Sequence, residues 1–158
     1  MKDMFGIVNM QNQMLIESAK QEVRACNAMS EKFGLSLNED EIRELVECRA
    51  DALKKTGRIE FAGGILPKLI YAFCDSPYIQ QENYECTLAE LQEAFYYFKS
   101  ESLEQFADDE LIEFMVKVFN GRAQGCGEYL IGTSLEELCR YARSEFDPFA
   151  ADEAGDLF

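Results

Sequence analysis

The stretch Gly64-Ile65-Leu66-Pro67-Lys68-Leu69-Ile70-Tyr71-Ala72-Phe73-Cys74 decides the fold class. Its apolar residues Ile65, Leu66, Leu69, Ile70 and Phe73 recur at helical spacing, and Lys68 is its only charge. Pro67 is compatible with a helix because it falls in the first turn, where backbone amides have no intrahelical partner. A helix apolar nearly all round must be covered by others, so this one is predicted at the centre of a bundle, ended by Asp75-Ser76-Pro77-Tyr78.

The flanking sequence supplies the covering helices. From about 11 to 33, Ile16, Ala19, Val23, Cys26, Ser30 and Phe33 step by three and four residues, and Gly34 stands where a left-handed C-cap belongs. A second helix is expected to open near Ser36 to Asn38, with Ser36 and Glu39 as a capping box. Its stripe is Ile42, Leu45, Val46, Arg49 and Leu53, and Gly57 stops it. Glu39–Arg43 and Asp51–Lys55 fall at i,i+4 on its wet face. A fourth helix is read from Thr87, boxed with Glu90, to about Glu101, and a fifth from the acidic start Asp108-Asp109-Glu110 to Asn120-Gly121. After a glycine-rich passage, a last helix begins at Thr133 or Ser134 and runs to Arg143. Arg58 to Phe61 and Phe5 to Asn9 have strand-like composition but are too brief to change the class. The prediction is all-α: one domain of five to six helices over residues 1–143, with a mobile acidic-aromatic tail at 144–158.

Composition excludes more than it assigns. The chain of 158 residues has 30 Asp and Glu against 15 Lys and Arg, a formal charge of −15, and no histidine. Histidine-based triads, histidine-ligated metals and a switch titrating near about 6.5 are therefore absent. The negative excess opposes direct binding to nucleic acid or to anionic lipid and favours a basic partner. Met4 to Ile16, the longest charge-free stretch, is too short and too polar to span a bilayer, and Asp3 interrupts what would be the basic region of a signal peptide. The six cysteines form no C-x-x-C pair, so they are read as reduced thiols of a cytoplasmic protein.

The run Arg58-Ile59-Glu60-Phe61-Ala62-Gly63-Gly64, continuing through the central helix to Ile79, together with Thr133-Ser134-Leu135-Glu136-Glu137-Leu138, resembles an uncharacterised bacterial family of small acidic helical proteins of unknown function. The resemblance covers most of residues 36 to 143. It implies a bacterial cytosolic origin and carries over no catalytic residue.

Candidate chemistry is sparse. Gly63 and Gly64 lead into a helix start between Arg58 and Lys68, a set that can cradle a carboxylate or phosphate. The spacing matches neither phosphate-loop pattern, and a tight entry into a buried helix explains the glycines as well. Glu41, Glu44 and Glu47 share a helix face, which with Asp108, Asp109, Glu110 and Glu113 would suit a magnesium-dependent hydrolase if the two sets met in one cleft. Placed opposite the apolar stripe, they read more simply as a solvated face. No cysteine has a clear activating neighbour. No catalytic, cofactor or metal residue is therefore assigned.

The charge distribution is the stronger signal. Leu69 to Val116 holds eleven acids and one base, whereas Arg49 to Lys68 holds five bases. An interaction or regulatory module is the expected function, presenting Glu90, Glu93, Tyr97, Asp108, Asp109 and Glu113 to a protein partner with a basic surface. The alternatives are the magnesium-dependent hydrolase and a DNA mimic.

Overall fold

The structure, a computed structural model, describes residues 2–102 and 105–137, with side chains from residue 13 onward except at 133 and 134. Among the described residues there is no strand. The helices are α1 (Lys2–Ser30), α2 (Glu39–Thr56), α3 (Leu66–Phe73), α4 (Tyr84–Glu101), α5 (Asp108–Asn120) and the single turn α6 (Gly127–Tyr129), which passes into a π-helical turn at Leu130–Leu135. The class is all-α and compact, as expected.

Helix α3 occupies the centre. It packs against α1, α4 and α5, and Leu66, Leu69, Ile70 and Phe73 have no exposed surface. Around it one apolar cluster gathers Val23, Ile42, Leu45, Phe95, Met115 and Phe119, so each surrounding helix gives its apolar stripe to the same core. Edge-to-face contact between Phe73 and Phe119, at 5.4 Å between ring centres, ties α3 to α5.

Several boundaries differ from the sequence reading, each for a local reason. The backbone of α1 starts at Lys2 rather than near 11, so Phe5 to Asn9 are helical. A short 3-10 turn, Glu31–Phe33, then tightens the end before Gly34 at φ +79°, and it swings Phe33 off the buried stripe to half exposure. Helix α2 is capped by Asn38 and not by Ser36. The Asn38 side chain accepts from the Glu41 amide at 2.8 Å, and the Glu41 carboxylate accepts from the Asn38 amide at 2.9 Å. Ser36 instead exchanges two backbone hydrogen bonds with the Gln81 side chain, and Glu39 forms a bidentate pair with Arg24. Arg43 correspondingly pairs with Asp40, one turn back. Helix α4 begins at Tyr84, after a 3-10 turn at Gln81–Asn83 in which Asn83 bonds the Gln80 amide, so Thr87 lies inside the helix. The expected last helix is replaced at its start by the π-turn, Glu136 and Glu137 are helical after it, and residues 138–143 of that helix and the tail 144–158 lie outside the described residues.

The connection from α2 to α3 sets which of its side chains reach the interior. Gly57 ends α2 at φ +71°. From there the side chains alternate between faces: Glu60 turns inward, while Ile59 and Phe61 are each 80% exposed. Gly64 then turns the chain into α3 at φ +60°, so close to its neighbours that a Cβ there would lie 1.9 Å from Glu60 Oε1 and 2.7 Å from Arg49 Nη2. Gly57 meets nothing within 4 Å. Gly57→Ala should therefore cost only the left-handed backbone penalty of about 1–2 kcal/mol, whereas Gly64→Ala must also displace Glu60. Paired urea denaturation is expected to show the larger loss for Gly64→Ala, and equal losses would contradict this reading of the turn.

Candidate functional site

The glycine-led entry to α3 is built as an anion cradle and is already filled by the protein's own carboxylates. The Gly63 amide donates to Glu22 Oε2 at 3.1 Å, and the Ile65 amide points to Glu60 Oε1 at 3.4 Å. Of the two flanking cations, Arg58 faces inward to Glu60 and Asp108, and Lys68 pairs at the surface with Asp109 at 3.0 Å. The inward-facing donors of this entry, Arg58 and the Gly63 and Ile65 amides, are thus met from within the chain, while Lys68 stands at the surface.

Glu60 is the centre of a buried polar cluster. Its Oε1 accepts from the Arg49 guanidinium at 3.1 Å and from the Tyr96 hydroxyl at 2.5 Å, and its Oε2 accepts from Arg58 at 2.7 Å. Arg58 continues to Asp108 at 2.6 Å and lies over the Phe95 ring at 5.8 Å. Lys99 closes the far end, 3.2 Å from Asp108 and donating to the Phe106 carbonyl. Burial works against ionising Asp108, but Lys99 and Arg58 outweigh it and hold the carboxyl below its ordinary range. Burial and the adjoining Glu60 carboxylate keep the Tyr96 phenol protonated far above its ordinary range. Buried charges of this kind serve chiefly to fix an arrangement, since their attraction mainly offsets lost hydration. The sequence carried one hint of the cluster: Arg49 stands on the apolar stripe of α2, where an arginine must find a buried partner.

The expected acidic surface is divided by this cluster. Asp108 is committed to Arg58 and Lys99, and Asp109 to Lys68. Glu90 lies over Gly127 at the start of α6, and Glu113 is exposed on α5. Glu93 and Tyr97 line a concavity, which the sequence reading did not anticipate. It is a groove of about 480 Å³ between α2 and α4. Ala52, Ala89, Ala94, Tyr96, Phe98 and Ile131 form its floor, with Cys48, Asp51 and Lys55 on the α2 rim and Glu93 and Tyr97 on the α4 rim. Gln92 stands in the wall, 2% exposed; its amide nitrogen donates to the Leu45 carbonyl at 3.1 Å and its oxygen has no partner.

The two helices run in the same direction, so Glu44 meets Glu85, Gln92 meets Leu45 and Tyr96 meets Arg49. Carboxylates therefore collect toward the N-terminal end of the groove. A hydrogen bond that the Glu85 carboxyl donates to Glu44, with partial burial and the nearby Glu44 and Glu41 charges, raises Glu85 above the usual carboxylate range. Burial and the charges of Asp51, Glu44, Glu93 and Glu47 push the Cys48 thiol up, which keeps it protonated and a poor nucleophile. Cys26 and Cys74 are buried and likewise raised chiefly by burial. Among the described residues no group of three or more His, Cys, Asp or Glu converges on a position that could hold a metal.

The model of a family of unknown function (DUF6323) matches residues 22–148, and the chain belongs to that family. No curated protein and no solved structure matches it. No helix of the described residues is long and apolar enough to cross a membrane.

Removing Glu60 leaves the buried Arg49 charge without its carboxylate and takes from Arg58 one of its two, Asp108 remaining. Glu60→Ala is expected to lower unfolding free energy by about 3–5 kcal/mol, measured by denaturant titration; a change near zero would show that the cluster contributes nothing. Because the folded-state carboxyl of Asp108 is depressed, its contribution is complete above the unfolded value of about 3.9 and is lost as pH falls through the folded one. Unfolding curves between pH 7 and 3 should accordingly flatten in Asp108→Asn, and an unchanged slope would refute the assignment.

Proposed function

We propose, for a chain whose family assigns it no activity, that it is a small bacterial cytoplasmic interaction module, one domain over residues 1–143 with an acidic extension at 144–158, whose α2–α4 face meets a protein partner with a basic surface. The observation that supports this reading is the groove itself: an apolar concavity with Glu93 and Asp51 on opposite rims and Glu44, Glu47 and Glu85 beyond its N-terminal end. Apolar floors with charged rims are the usual composition of specific protein contacts. The surrounding negative charge accelerates encounter with a basic partner and repels nucleic acid.

The internal ion pairs reinforce the polarity of this face. Arg49 and Arg58 are turned into the protein and Lys68 is joined to Asp109, so three of the five bases between Arg49 and Lys68 do not offset the acids of α2 and α4.

Affinity capture from the native lysate tests the reading when wild type is compared with the triple variant Glu44→Lys, Glu47→Lys, Glu93→Lys at about 50 and 500 mM salt, where screening differs severalfold. A basic protein retained by the wild type at low salt, and lost in the triple variant and at high salt, is the expected result. Capture indifferent to both changes would overturn it. Omitting residues 144–158 in parallel shows whether the extension adds to retention.

A further inference from the structure

The groove's shape and charge order specify the form of its occupant. We propose that the α2–α4 groove receives a two-turn amphipathic helix of a partner protein, lying parallel to α2 and α4, with basic residues toward its N-terminal end and an acidic residue toward its C-terminal end. The inference rests on the interaction reading above and names the partner's structure and direction.

Three observations carry it. The first is length: the α2 wall runs from Cys48 to Thr56, which at about 1.5 Å per residue is about 12 Å, or two helical turns. The second is the nature of the walls. Both are helices whose backbone amides and carbonyls bond within themselves, so they offer an extended guest no ladder of main-chain partners. A guest entering such an apolar channel must satisfy its own backbone, and a helix does so. Half-buried Ala52 and Ala89 leave the depth that a guest's apolar stripe at i, i+3 or i+4, and i+7 requires.

The third observation is charge order. Glu44, Glu47 and Glu85 lie in the N-terminal halves of α2 and its neighbour α4, Asp51 and Glu93 stand at the middle of the groove, and Lys55 lines its far end, with Lys54 exposed beside it. Glu93 faces Asp51 and Cys48 across the groove. A guest helix carries partial positive charge at its N-terminus and negative at its C-terminus, so its dipole and its side chains both favour one direction. The reverse direction would set like charges against each other at both ends.

Binding of a fluorescein-labelled, end-capped helical peptide of 14 residues to the full chain tests this by fluorescence anisotropy. One peptide carries Leu and Ala on one face, Lys in its first two turns and Glu in its last; a second has the same composition with the Lys and Glu turns exchanged. The first is expected to bind about two- to fivefold more tightly than the second, the difference that the helix dipole leaves when the second peptide lies antiparallel with its Lys at the acidic end. Its affinity should fall at least tenfold in Ala89→Phe, which fills the groove, and in Glu93→Lys, with circular dichroism and thermal melts confirming that each variant is folded. Asp51→Lys on the opposite rim serves as the second variant if either melts early. Equal affinity for both peptides, no binding of either, or displacement of the peptide by millimolar spermidine with equal loss in a disordered basic peptide would overturn the helical occupant. Were lysate capture to remain salt-dependent while both peptides fail, the helix would be wrong and the interaction reading would stand. Loss of both would remove the two together.

Discussion

The arrangement of this bundle depends on how the Glu60 carboxylate is compensated. A carboxylate that is 5% exposed must find donors inside the protein. Glu60 takes them from four places: Arg49 in α2, Arg58 in the connecting segment, the Ile65 amide at the entry to α3, and Tyr96 in α4. Through Arg58 the same network reaches Asp108 at the start of α5, and through Asp108 it reaches Lys99 near the end of α4. Helices α2, α4 and α5 are thereby held in one placement relative to α3. Apolar packing stabilises the core, but it is tolerant of sliding, whereas charge-assisted hydrogen bonds fix distances and angles.

That constraint determines what the surface retains. With Arg49 and Arg58 directed inward, the segment between α2 and α3 shows Ile59 and Phe61 outside, since its inward positions belong to the ion pairs. The amides leading into α3 are occupied by Glu22 and Glu60, so the glycine pair is a packing feature filled from within. Asp108 is removed from the acidic face for the same reason. The face between α2 and α4 keeps its carboxylates free of these pairs, and the small side chains of Ala52 and Ala89 leave it concave.

Much of the fold is legible in the sequence because helical periodicity and burial are short-range properties. Ile65 through Phe73 announce the central helix, and Gly34 and Gly57 announce two helix ends through the left-handed conformation they adopt. Caps are less legible, because several hydroxyl and amide side chains compete and the winner is set by contacts elsewhere. Ser36 is displaced as a cap by its bonds to Gln81, forty-five residues away, and Glu39 is drawn to Arg24 on α1. Thr87, which has the spacing of a capping box with Glu90, is overridden by an earlier turn at Gln81–Asn83. The groove is not legible at all, since a concavity is a relation between two helices and neither announces it alone.

The helical class, the central place of α3, the exclusion of histidine chemistry and the acidic excess on the second half of the chain all stand in the amino-acid order. Each is a property of composition or of residues within a few turns of one another. Which charges are consumed inside and which remain available is settled by packing. Arg58 and Asp108 are fifty residues apart, Lys68 and Asp109 forty-one, and Arg49 and Glu60 are brought together by a turn whose geometry rests on Gly64. Electrostatic partnership depends on distance and on burial, and neither exists until the helices have packed.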